Sequence, residues 1–245
     1  MNNTKNNSVL YALPVLFGFF VMGFCDIVGI SSDYAASAFG WSPTMTGLIP
    51  SVVFAWFFLL GIPSGLMMNR IGRKNTVLLS ILITIVGMAL PLIHYDSTTT
   101  LAAYALLGIG NAILQVSLNP LLQNVITNEK LLTSSLTAGQ VVKAVSSFVG
   151  PFIVLSAINL FGDGDEGMWY LCFPIMGAAT LVFGLWLLFT PIPREVIVQH
   201  TETSGLKSSL SLLSDKTILL LFLGIFFAVG TDVSTNFLRL PRSCR

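Results

Sequence analysis

Seven stretches of this chain run for about twenty residues with almost no charge, and that pattern limits the fold more than anything else in the sequence. They cover roughly residues 10–30, 46–68, 76–93, 101–123, 136–161, 168–190 and 217–237. A backbone in hydrocarbon must satisfy its own N–H and C=O groups, so each stretch is expected as a spanning helix. Charged residues make up 9% of the chain and the mean hydropathy is +0.82. A soluble domain carries about 25% charged residues. The fold class is therefore an all-α integral membrane protein whose constant partner is the lipid bilayer. Cys25 and Cys172 fall in the apolar stretches and Cys244 near the end, which argues against a disulfide framework. His94 and His200 have no ligand at metal-binding spacing. No Lys/Arg cluster points to nucleic acid, and no motif asks for a cofactor. Lys5 precedes an apolar stretch with no small-x-small cleavage site, so the first stretch reads as a span and not as a cleaved signal.

The loops carry the orientation. Lys5, Arg70, Arg73, Lys74, Lys130, Arg194, Lys207 and Lys216 alternate with loops that hold only Asp33, His94, Asp96, Asp163, Asp165 and Glu166. Short basic loops stay cytoplasmic, so the N-terminus is expected inside, in a bacterial inner membrane. The division expected is a six-helix half over 1–190, a polar cytoplasmic linker over 191–216, and the first helix of a second half over 217–237. Residues 238–245 put three Arg on the outer side. They read as a tail foreign to the fold, the alternative being a snorkelling anchor.

A repeat supports two halves. Phe19-Phe20-Val21-Met22-Gly23-Phe24-Cys25-Asp26 returns as Phe226-Phe227-Ala228-Val229-Gly230-Thr231-Asp232. Repeated spans with an acid at one relative place mark carriers built from duplicated halves. A lone carboxylate costs about 2.5–3.5 kcal/mol in a span, so Asp26 and Asp232 are candidate proton-coupling groups; the alternative is a polar side chain buried against a neighbour. The chain ends soon after the second copy begins, so it is expected to insert in the membrane without transporting by itself.

Two further helix faces are polar. Asn111, Gln115 and Asn119 recur at i, i+4, i+8, and Gln140, Lys143 and Ser147 at i, i+3, i+7. Such faces line a wet cavity or bond neighbouring helices. Lys143 either snorkels to the cytoplasmic surface or faces the cavity, with Asp26 as the natural partner. Asp33 lies at the outer mouth, Asn236 extends the face of Asp232, and Trp56 is a guess for a ring that stacks on a ligand.

The loop after the second stretch, Gly65-Leu66-Met67-Met68-Asn69-Arg70-Ile71-Gly72-Arg73-Lys74, resembles the signature of the major facilitator superfamily. That resemblance implies a twelve-helix, two-bundle, alternating-access carrier, of which this chain holds six helices plus a seventh. Gly65, Asn69, Arg70, Gly72, Arg73 and Lys74 would form the inner gating motif. The family's usual Asp is replaced by Asn69, which removes a charge from the gate and leaves a side chain able to cap the third helix. Asn111 to Asn119-Pro120, and Leu136 to Gln140 with Lys143 and Ser146-Ser147-Phe148, resemble the fucose, glucose and galactose permease group of sugar–proton symporters. Where the fucose permease has a Glu, this chain has Gln115, which cannot carry a proton. The function implied is proton-coupled uptake of a small sugar, with Asn111, Gln115, Asn119, Gln140 and Lys143 as substrate contacts. The alternatives are a drug or other-solute antiporter, for which Gly150-Pro151 lacks its companion glycines, and a non-transporting sensor or fragment. A membrane enzyme is disfavoured, because Gly61-Ile62-Pro63-Ser64-Gly65 has one residue too many for an intramembrane serine motif and no His faces it.

Overall fold

The computed structural model describes residues 3–126, 128–192, 214–224 and 227. Among them every regular element is helical: α1 (Asn3–Met22), a 3₁₀ turn (Gly23–Asp26), α2 (Ile27–Phe39), α3 (Pro43–Ile71), α4 (Arg73–Ile93), α5 (Ser97–Val125), α6 (Glu129–Phe161), a second 3₁₀ turn (Glu166–Leu171) and α7 (Cys172–Phe189). These make six helices long and apolar enough to cross a membrane, the first being α1 and α2 together. Residues 216–224 are helical as well. The rest of the seventh stretch, with Asp232 and Asn236, lies outside the described residues, as do the tail 238–245 and most of the 191–216 linker. Residues Met1–Val198 form one compact unit and Gln199–Arg245 another.

The helices overrun the apolar windows because their ends are set by caps. The first span runs past Ile30 to Phe39 and stops where Gly40 takes φ +64°. Ser42 opens α3 by accepting from the Met45 amide at 3.3 Å, with Pro43 next to it where no N–H is needed. Asp96 opens α5 through the Thr99 amide at 2.6 Å, and Asn128 opens α6 through the amides of Lys130 and Leu131. Between α3 and α4 stands a single residue, Gly72, at φ +88°, a conformation glycine adopts without cost.

α5 is the central helix and packs on α4, α3 and α1, burying Tyr104, Leu118, Leu121 and Leu122. Lipid tails are as apolar as leucine, so association rests on close contact. Gly110 of α5 meets the Thr84 hydroxyl of α4 so closely that a Cβ has no room. At the end of the bundle opposite the basic loop, Tyr95 is a hub. It stacks on Tyr170 at 4.2 Å and lies 5.0 Å from Phe39, and its hydroxyl accepts the Trp169 indole N–H at 2.9 Å. Burial pushes its phenol above the usual range. Trp41 donates to Ser97 at 2.8 Å beside it, so rings suited to the headgroup region tie four spans together.

Candidate functional site

The 3₁₀ turn interrupts the first span at Gly23–Asp26, and three spans meet there. At Gly23 a Cβ would stand 2.7 Å from Ser146 Cβ and 2.8 Å from the Lys143 carbonyl. The first span and α6 therefore touch backbone to backbone. One turn later Asp26 accepts a hydrogen bond from the Ser147 hydroxyl. That oxygen also lies 3.1 Å from the Lys143 carbonyl, but it has a single proton, and the carboxylate is the stronger acceptor.

Cys25 lies against Asn111 of α5, and Asp26 and Lys143 both stand near enough to act on it electrostatically. The structure thus brings Asp26, Asn111, Lys143 and Ser147 into one neighbourhood. No ion pair forms between Asp26 and Lys143 among the described residues; Ser147 takes the place expected of the ammonium. Sequence periodicity had placed Ser147 on the face of Gln140 and Lys143, but nothing local indicated its partner across the bundle.

The other amides differ in access. Asn111 is buried, and its Nδ2 has no partner. Asn119 is half-buried with an unpartnered Oδ1. Gln115 is half-buried and Gln140 exposed. Trp56 touches Gly108 of α5, with its indole N–H buried and unpartnered. Asp33 is exposed in α2, towards the C-terminal end of the first span.

The basic loop between α3 and α4 works differently from its sequence reading. Asn69 does not cap the third span: it sits exposed in the last turn of α3, while Gly72 fills the cap position with no side-chain bond. The chain reverses too tightly for the Asn69 side chain to take that place. Arg73 donates to the Pro120 carbonyl at 2.8 Å and to Asn124 Oδ1 at 2.6 Å. Lys74 donates to the carbonyls of Leu188 and Thr190, each at 2.9 Å. A cation at the C-terminus of α7 meets its unsatisfied carbonyls and the negative end of its dipole. The two basic residues thereby staple the C-terminal ends of α5 and α7 to the loop. Gly65 has open space around it and Arg70 is exposed. The Asn124 contact was missed from the sequence, although Asn124 lies one turn beyond the noted Pro120.

An all-helical bundle of apolar spans, with ionisable and amide groups gathered between the helices and a basic staple on one end, defines a multi-pass integral membrane protein of the carrier type. The Major Facilitator Superfamily family model matches residues 9–240, and the chain belongs to that family, one of transporters and not of enzymes. A glucose/galactose transporter of Brucella abortus is 26% identical over 250 residues, covering 95% of this chain and 58% of the relative. A putative glucose/galactose transporter of Helicobacter pylori is 27% identical, covering 96% and 59%. The chain thus spans under two thirds of these relatives' length. Among solved structures, the fucose:proton symporter of E. coli superposes with a TM-score of 0.62 at 17% identity, over 85% of this chain and 56% of that one. A bacterial homologue of the human drug peptide transporters gives 0.63 at 18%, over 96% and 55%. These two likenesses concern the fold.

Proposed function

We propose that this chain forms the first half, 1–190, and the opening helix of the second half, 217–237, of a carrier that takes up a hexose-like sugar with protons by alternating access. The N-terminus would lie inside a bacterial inner membrane. The observation that carries the reading is the Asp26–Ser147 bond, made where the broken first span meets α6 beside Lys143. Ionisable groups inside a bundle are costly and persist for ion or substrate work. Asp26 is assigned to proton coupling, with Asp232 as its counterpart in the repeat. Sugar hydroxyls need donors and acceptors together, and Gln115, Asn119 and Gln140 supply both, with Asn111 and Lys143 at the edge. The glucose/galactose transporters among the relatives support the substrate class. Gly65, Asn69, Arg70, Gly72, Arg73 and Lys74 form the inner gating motif, its two last residues bonded across to α5 and α7. Gly150 packs on Ile27, which supports helix contact in place of an antiporter motif.

The test is uptake of labelled hexoses by cells making the natural protein, with external pH recorded. Sugar-driven alkalinisation is expected, and Asp26→Asn is expected to abolish it while sugar binding persists. Alkalinisation that survives in Asp26→Asn moves coupling to Asp232. Failure of every hexose to bind or enter overturns the sugar reading.

A further inference from the structure

Between the first span, α4 and α5 lies a narrow cavity lined by Cys25, Thr84, Asn111, Phe24, Met88 and Leu114. The space open to the centre of a water-sized sphere is about 20 Å³, against about 10–15 Å³ needed to hold one water. Its polar groups satisfy one another only in part. Asn111 is 6% exposed; its amide reaches the Cys25 sulfur, and at least one of its two Nδ2 protons has no acceptor among the described residues. Thr84, 8% exposed, spends its only proton on the Ser80 carbonyl at 2.9 Å, which leaves hydroxyl lone pairs without a described donor. Cys25 contributes a thiol that is a weak donor. The cavity thus has donors on one wall and an acceptor on another.

We propose that one ordered water occupies this cavity, accepting from Asn111 Nδ2 and the Cys25 thiol and donating to Thr84 Oγ1. Two donors and one acceptor match a water's two lone pairs and one of its hydrogens, within the three bonds typical of buried water. A metal cation fits less well, because the Asn111 Nδ2 group presents hydrogens to it. An apolar cavity of this size would stay dry, whereas this one carries three polar atoms. The water fastens the break in the first span to α4 and α5, one residue before Asp26. The inference needs no transport cycle and stands whether or not the sugar reading does.

Infrared spectra of the full chain in lipid test it through the Cys25 S–H stretch, isolated from Cys172 and Cys244 by subtracting the Cys25→Ala spectrum. Asn111→Leu and Thr84→Val are both expected to move the band, although no bond joins Thr84 to the thiol among the described residues. Thr84→Ser, which keeps the hydroxyl, is expected to leave it in place. A band moved by Asn111→Leu but not by Thr84→Val overturns the proposal in favour of a direct Asn111–Cys25 bond. A band moved by neither means a dry cavity, which also overturns it. The unsubstituted chain gives a second reading. A sharp buried O–H band that shifts in H₂¹⁸O is expected, and its absence counts against the water even if a variant fails to fold.

Discussion

At Asp26 one hydroxyl governs how the carboxylate is presented. Ser147 donates to it from α6, and a hydrogen bond to a charged group contributes about 1.5–3 kcal/mol when well shielded. Asp26 is exposed and not shielded by the protein, so the low end of hydrogen-bond contributions applies, about 1 kcal/mol. If the natural protein couples sugar to protons as proposed, Ser147→Ala is expected to weaken that uptake about fivefold and to leave membrane insertion unchanged; Ser147→Thr should restore it. Unchanged coupling in the alanine variant would remove Ser147 from the site. Asp96 acts at the surface. Its carboxyl is held below the ordinary range first by the Thr99 side chain and then by the Thr99 amide. A folded-state pKa below the unfolded one adds stability that is present above the unfolded value and is lost as pH falls through the folded one. The protection of the Thr99 amide, its exchange rate relative to the intrinsic rate at the same pH, should be high near neutrality and fall in acid below the usual aspartate range. Asp96→Asn should keep the cap and lose the pH dependence.

Among the elements, the seam of the first span with α6 is the tightest joint at the site. Gly23 meets Ser146 and the Lys143 carbonyl, the Phe19 ring lies 2.9 Å from where a Gly139 Cβ would stand, and Ile27 sits 2.5 Å from where a Gly150 Cβ would stand. Gly23→Val forces these helices apart, and overpacking of this kind costs about 1–3 kcal/mol. Thermal unfolding in detergent should fall by several degrees, with loss of the Asp26–Ser147 bond. Ser146→Gly should rescue it only in part, because the Lys143 carbonyl remains. A Gly23→Val protein as stable as the parent would show that the seam is loose. The six spans were legible in the sequence because twenty apolar residues admit one solution in lipid. The face holding Lys143 and Ser147 was legible because helical spacing is local. The 3₁₀ break was not, since Gly23-Phe24-Cys25 looks like any other apolar run. Nor was the Asp26–Ser147 pairing, which depends on how two helices dock. Asn69 misled for a related reason: its residue type suits a cap, but the turn at Gly72 leaves it on the wrong side of the reversal.

For the whole molecule, the test is sidedness. The basic loop holding Arg70 and the acidic loop holding Asp163 should face opposite sides of the membrane, the first inside. Both residues are exposed. In a Cys244→Ser background, a membrane-impermeant maleimide applied to intact cells should label Asp163→Cys at once and Arg70→Cys only after permeabilisation, with Cys25 and Cys172 as slow internal controls. The reverse pattern would invert the carrier. The one-residue link at Gly72 has an effect of its own. Surface connections usually tolerate an added residue, but here α4 starts at once, and each residue of helix advances the screw by about 100°. Inserting one residue after Gly72 would either turn Thr84 from Gly110 or pull Arg73 and Lys74 off the carbonyls they hold, so a loop of one residue is also one whose length is not free to drift.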